Sequence, residues 1–408
     1  MEVKPGYKQT EVGVIPEDWD PVPLSQTTKR ITRGASPRPI DSPAWFDSRS
    51  SVGWVRISDV TRSGRYLIET TQRLSEEGIR RSRPVPSGSL IMSICATVGR
   101  PIETRVDTCI HDGFVVFDQP SIDQSYLYHV LADLEPKWSK HGQTGSQMNL
   151  NTGLINGCLI PLPPTLAEQE AIAEALSDAD VLIESLDQLI TKKRNIKQGA
   201  MNELLTGKKR LPGFSGAWEV KRLGDVVERF VGGGTPSRSV SGYWGDEIPW
   251  VTVKDFTTFS PICSQESITK LGLQNSASNL IRKGTLITST RMALGKAVIY
   301  DVDVAINQDL KALFPTSLLD TQYLYFWFQY KSQYIAELGS GSTVKGVSLT
   351  DIKSTVFILP PLPEQSAIAT ILSDMDAEIT ALEHKLAKAR QIKHGMMTEL
   401  LTGRIRLV

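Results

Sequence analysis

The sequence predicts an α+β protein made of two related globular domains joined by two long helices that pair as an antiparallel coiled coil, with the halves related by a pseudo-twofold axis. Three observations carry this. The chain repeats itself: Glu168-Gln169-Glu170-Ala171-Ile172-Ala173 returns as Glu364-Gln365-Ser366-Ala367-Ile368-Ala369, an offset of 196 residues that holds without a gap through Leu211 and Leu407. Roughly half of these aligned positions are identical. Each repeated segment carries an apolar stripe at alternating steps of four and three, and the stretches before them alternate short β-type runs with turn residues.

Taken in order, residues 1–164 form the first domain. Leu90-Ile91-Met92-Ser93-Ile94 and Phe114-Val115-Val116-Phe117 read as strands, and Ser125 to Leu134 as a helix. Residues 165–210 follow as the first long helix. Pro161, Pro163 and Pro164 mark its start, because proline continues neither a ladder nor a helix interior, and Gly207 its close. Its seam is Ile172, Leu176, Ala179, Ile183, Leu186 and Ile190. From Glu168 to Leu205 such a helix runs ~55 Å, against ~34 Å per turn of B-DNA, so it suits a rigid spacer. Residues 211–361 repeat the domain: Trp250-Val251-Thr252-Val253-Lys254-Asp255-Phe256 matches Trp54-Val55-Arg56-Ile57-Ser58-Asp59-Val60, and Gly284, Ser289 and Gly295 match Gly88, Ser93 and Gly99. Its strands include Thr285 to Ser289 and Lys296 to Tyr300, and a helix covers Thr321 to Ile335. Residues 362–408 repeat the helix, with the seam Ile368, Leu372, Met375, Ile379, Leu382 and Leu386 and the closing Gly403. The alternative is that each helix packs only on its own domain. Near-constant helices beside divergent domains favour a shared surface instead. After the first helix the chain runs on through Pro212 and Gly213 to Trp218, much as Gly13 to Trp19 does near the start, which predicts that the two chain ends meet.

The chain has 408 residues, of which 40% are hydrophobic and 22% charged, as in soluble multi-domain proteins. No apolar run reaches the ~20 residues of a membrane span and the polar start lacks a leader's features, so the cytoplasm is the expected location. Cys95, Cys109, Cys158 and Cys263 lack metal-site spacing and read as buried thiols; no metal site is expected. Formal charge is zero, with 45 basic and 45 acidic residues, which disfavours DNA binding by this chain unaided.

Two Gly- and Ser/Thr-rich loops at equivalent places are candidates for DNA contact through backbone N–H groups and amide side chains. One offers Gln143, Thr144, Ser146, Gln147 and Asn149, the other Ser342, Thr343 and Lys345. Arg80, Arg81, Arg83, Arg282, Lys283, Arg291 and Lys296 are weaker candidates for phosphates or guanine edges, since most surface arginines do nothing so specific. No catalytic residue is expected. Phe230-Val231-Gly232-Gly233-Gly234 matches the Phe-x-Gly-x-Gly loop of adenine methyltransferases, but Thr235-Pro236 follows it and no Asn/Asp-Pro-Pro-Tyr/Phe motif is present to grip a flipped base. There is no Gly-x4-Gly-Lys-Ser/Thr loop either. His111-Asp112 and Gln308-Asp309 sit near equivalent positions, and their dissimilarity points to structure rather than acid–base chemistry.

Tyr7 to Trp19, the twin Leu-Pro-Pro…Glu-Gln-x-Ala-Ile-Ala segments and the twin Glu-Leu-Leu-Thr-Gly endings resemble type I restriction-modification specificity subunits (HsdS) along the whole chain. The resemblance implies two target-recognition domains, each reading one half of an interrupted target in double-stranded DNA. It implies conserved helices that bind two methyltransferase subunits, and restriction subunits joined through the complex. This chain then holds no cofactor; S-adenosylmethionine, ATP and Mg belong to the partners, which also supply the missing positive charge. Two other readings stand beside it: the specificity subunit of a fused methyltransferase-nuclease system, and a two-domain protein–protein scaffold.

Overall fold

The β-type runs form two main sheets in each half of the chain. The computed structural model describes residues 4–141, 150–340 and 345–407, without the side chains of 139–141. It divides into one unit of Met1–Asp187 with His384–Val408 and another of Gln188–Glu383, so that each long helix contributes to both units.

In the first unit a five-stranded sheet has the order Thr28–Arg33, Phe114–Pro120, Leu90–Ser93, Pro101–Thr104, Tyr66–Leu67, and a four-stranded sheet the order Gln72–Arg73, Gly53–Val55, Thr108–Ile110, Arg83–Val85. The helix Gln124–His141 extends past the sequence expectation and contains Pro136. The second unit repeats the plan. Its sheets run Val227–Gly232, Leu310–Pro315, Leu286–Ser289, Ala297–Ile299 and Glu266–Ile268, Trp244–Val251, Val304–Ile306, Asn279–Ile281, with the helix Thr321–Glu337. Asp59 and its counterpart Asp255, both buried, accept main-chain amides from Arg56 and Thr71, and from Thr252 and Gln265. The repeated Trp-Val…Asp motif therefore builds the frame, since a buried carboxylate persists only when hydrogen-bonded.

The long helices are Leu166–Leu204 and Leu362–Leu400. Gly207 and Gly403 close them at φ 70° and 67°, where a side chain would be strained. In the first unit Lys393 pairs with Asp180, and Arg390 with Asp187 at 2.8 Å; in the second Lys197 pairs with Asp376 and Arg194 with Glu383, both at 2.6 Å. Within each unit, residues early in one helix thus meet residues late in the other, which is antiparallel pairing. Ile172, Leu176, Leu186, Ile190, Ile368, Leu372, Ile379 and Leu386 are buried, and Ala179, Ile183, Met375 and Leu382 half-buried. The helix ends also enter the domain cores: Ile172 and Leu176 cluster with Tyr126, Leu127 and Leu400, and Ile368 and Leu372 with Tyr323, Leu324 and Leu204. The helices therefore pack both on each other and on the domains.

The Glu-Gln pair at the head of each helix is buried and fully used. Gln169 accepts from the amide of Asp123, which caps the helix Gln124–His141, and donates to the Pro163 carbonyl. Gln365 does the same with Asp320, donating to the carbonyls of Leu318 and Pro360. Glu364 takes both a guanidinium fork from Arg210, at 2.6 and 2.7 Å, and the indole N–H of Trp218 at 2.8 Å. Glu168 holds Arg406, which also forks onto Asp18 at 3.0 Å, and the Tyr7 hydroxyl donates to the Gly403 carbonyl at 3.2 Å. The two chain ends meet, as the sequence predicts. Among the described residues no helix is long and apolar enough to cross a membrane.

Candidate nucleic-acid interface

Each unit presents a seven-residue connection between two antiparallel strands. It spans residues 94–100 in the first unit, between Leu90–Ser93 and Pro101–Thr104, and 290–296 in the second, between Leu286–Ser289 and Ala297–Ile299. Both tips carry a non-glycine residue in the left-handed region, Ala96 at φ 59° and Met292 at φ 66°. That conformation costs an L-residue roughly 1–2 kcal/mol. The surroundings impose it in the same way twice. The amide of Ile94 donates to the Gly113 carbonyl and that of Thr290 to the Asp309 carbonyl; the amides of Leu150 and Val347 donate to the carbonyls of Ile94 and Thr290. The turn beneath is held by a side chain, with His111 Nδ1 accepting from the Gly113 amide and Asn307 Oδ1 from the Asp309 amide. The equivalence is thus His111 with Asn307, one residue from the His111–Gln308 match read in the sequence, and its role is structural. Burial pushes the His111 pKa down.

Beside the second tip lies a cleft of about 520 Å³ lined by Arg238, Trp250, Lys254, Met292, Asn307 and Asp309. Arg238 stacks 3.7 Å from the Trp244 ring centre and forks onto Glu266 at 2.5 and 2.9 Å. That contact holds the Glu266 carboxyl below its ordinary range and raises the guanidinium. Sequence reading missed this clamp, because Arg238 lies in a turn and reaches Trp244 and Glu266 on strands brought together only by pairing of Trp244–Val251 with Glu266–Ile268.

Of the basic candidates, the fold brings Arg291 and Lys345 together: Arg291 bridges Gly346 in β fashion and the Met292 amide donates to the Lys345 carbonyl at 3.1 Å. Arg291 lies 3.6 Å from Asp309, and Lys296 is exposed at the end of the same connection. Arg282 and Lys283 sit beyond the opposite end of the strand Leu286–Ser289, both on Asp303: Arg282 by its side chain at 2.6 Å, Lys283 by its main-chain amide at 2.9 Å. Arg80 and Arg81 share Glu77 at 2.8 and 2.7 Å, and Arg83 is half-buried in its strand, so neither group belongs to a tip. Gln143, Thr144, Ser146, Gln147, Asn149, Ser342 and Thr343 lie outside the described residues.

The Gly232–Gly234 run owes its composition to close packing. A Cβ at Gly233 would fall 1.8 Å from the Ile306 carbonyl oxygen, and one at Gly234 2.7 Å from Ala277 Cβ. Of the cysteines only Cys109 is buried; Cys95 and Cys158 are half-buried and Cys263 exposed, correcting the expectation of four buried thiols, because Cys263 lies in a surface turn bridged to Ser260. Among the described residues no cluster of three or more His, Cys, Asp or Glu side chains is arranged to hold a metal.

Residues 51–193 and 216–391 each match the family described as type I restriction modification DNA specificity domain. The chain is 25% identical to the putative type I restriction enzyme MjaX specificity subunit of Methanocaldococcus jannaschii, across 98% of this chain and 97% of that one. Its fold is similar to the type I restriction-modification S subunit from M. genitalium, with a TM-score of 0.63 at 12% identity over 98% of each chain. A structure described under complex assembly and conformational transition of the type I R-M system aligns with a TM-score of 0.58 at 19% identity, over 96% of this chain and 99% of that one. With both repeats matched and the relative spanned almost end to end, the chain belongs to the type I restriction-modification DNA specificity family, as a non-catalytic specificity subunit.

Proposed function

We propose that this chain recognises an interrupted, two-part target in double-stranded DNA, one part per unit, and docks two methyltransferase subunits on its long helices, with restriction subunits joining through them. The observation that carries this is the doubling: two copies of one recognition frame sit in one chain beside near-constant helices. The helices also expose apolar side chains at equivalent places, Ile196 at 47% and Ile392 at 53%, with Val181 and Leu182 nearby, as a partner surface requires. Zero net charge fits an assembly in which partners neutralise much of the phosphate backbone. S-adenosylmethionine, ATP and Mg act on those partners, and the assembly works in the cytoplasm, where the DNA is.

The test replaces residues 1–160 with another recognition domain in the complex with modification subunits, then maps methylated adenines across a genome. One half of the methylated motif changes and the other stays. A change in both halves contradicts independent reading, and a wild-type complex whose salt-dependent binding ignores sequence contradicts DNA recognition altogether.

A further inference from the structure

Comparing the two units position by position separates frame from content. The frame is shared: the left-handed residue at the tip, the two main-chain clips that hold it, and the side-chain-capped turn beneath. The content differs. Cys95 and Ala96 in the first unit correspond in sequence to Arg291 and Met292 in the second, and Asp112 and Gly113 to Gln308 and Asp309.

Three described non-glycine residues have positive φ, Ala96, Gln119 and Met292, and two of them occupy this one equivalent position. Glycine would sit there without strain. Backbone strain held by a surrounding network marks functional sites. Met292 is moreover 69% exposed, a large apolar side chain held out at a tip flanked by Arg291, Lys296 and Lys345. The tip is the turn between Leu286–Ser289 and Ala297–Ile299, neighbours in a four-stranded sheet, and the major groove of B-DNA presents the acceptor atoms and methyl groups that side chains of these types can meet.

We propose that Arg291 and Met292 are specificity-determining residues of the second unit, entering the major groove from this tip, with Cys95 and Ala96 as their counterparts in the first. Met292 supplies an apolar surface of the kind that meets a thymine methyl group. Arg291, steadied by Asp309, supplies paired donors for the O6 and N7 acceptors of guanine. The shorter Ala96 leaves the first unit's tip to read differently with the same backbone. This rests on the two-part reading proposed above and deepens it.

The experiment uses the full chain assembled with its modification subunits, acting on a randomised duplex library whose methylated products are sequenced. The variants are Arg291→Ala, Met292→Ala and Met292→Gly. The glycine variant relieves the backbone strain, so it assembles and melts at least as well as the parent while losing the side chain. The expected result is a loss of discrimination of about tenfold or more at one or two neighbouring positions, all within one half-target, with the other half unchanged. An identical motif and selectivity in all three variants overturns the proposal and leaves the two-part reading intact. Altered selectivity in both half-targets, from variants that assemble and melt like the parent, overturns it together with independent reading.

Discussion

Arg65 is the sharpest place to test how the first unit is held together. Its side chain is 8% exposed and that of Glu103 6%, with Arg65 Nη2 2.6 Å from Glu103 Oε1. The guanidinium also donates to Ser177 on the first long helix at 2.6 Å and to Ser125 at 2.8 Å, and lies 4.5 Å from the Tyr128 ring centre. Arg65→Met removes these donors and leaves Glu103 buried, with half-exposed Arg105 at 3.8 Å as the residual cation among the described residues. Breaking a buried pair from one side costs about 3–5 kcal/mol, and Arg105 places this case at the lower end, about 3 kcal/mol. For a unit of this size each kcal/mol moves the melting temperature by roughly 2–4 °C, so a fall of about 6–12 °C is expected. Thermal melting reads the total, and hydrogen exchange across Tyr66–Leu67 and Pro101–Thr104 localises it. Adding Glu103→Leu to Arg65→Met restores most of the loss, because the uncompensated charge goes with it. A single variant within about 0.5 kcal/mol of the parent, or a double variant melting as low as the single one, refutes the argument.

Two further outcomes follow from neighbouring features. Burial, with Arg65 and Lys393 nearby, pushes the His129 pKa down to about 3, so the ring stays neutral where the unfolded chain takes up a proton near pH 6.5. The unfolded state then binds more protons between those values, and stability is lost as pH falls through that window by at most about 1.4 kcal/mol per pH unit. His129→Phe, the residue found at the matching Phe326, flattens this slope in urea midpoints measured from pH 7 to 4; an unaltered slope refutes it. Gly403→Ala forces a side chain into the left-handed region with its Cβ 2.5 Å from Pro16 Cγ, whereas Gly213→Ala, at φ 89° with nothing within 4 Å, bears only the backbone cost. Both lose about 1–2 kcal/mol from the backbone, and the first loses more; equal losses by denaturant titration count against the packing of the chain ends.

The long helices were legible because a repeat and a 4/3 stripe are local signals, and both helices appear near their expected bounds. The importance of Glu168 and Glu364 was legible only as repetition, since Arg406 and Arg210 come to them from distant chain. Strand positions such as Leu90–Ser93 and Leu286–Ser289 followed from apolar runs bounded by Gly88 and Gly284, whose positive φ turns the chain into each strand. The interface was less legible for two physical reasons. The Arg238–Trp244–Glu266 clamp depends on strand pairing, and a left-handed methionine carries no composition signal, because its conformation is imposed by Asp309 and Lys345 from elsewhere.

The joint made by Gln169 and Gln365 has a consequence for exchange of parts. Each amide meets its domain through peptide groups alone, the N–H of Asp123 or Asp320 and carbonyls such as those of Pro163 and Pro360. To that polar socket the side chains of the plugged-in domain are invisible, so a foreign domain that offers the same backbone turn meets the same bonds at this joint.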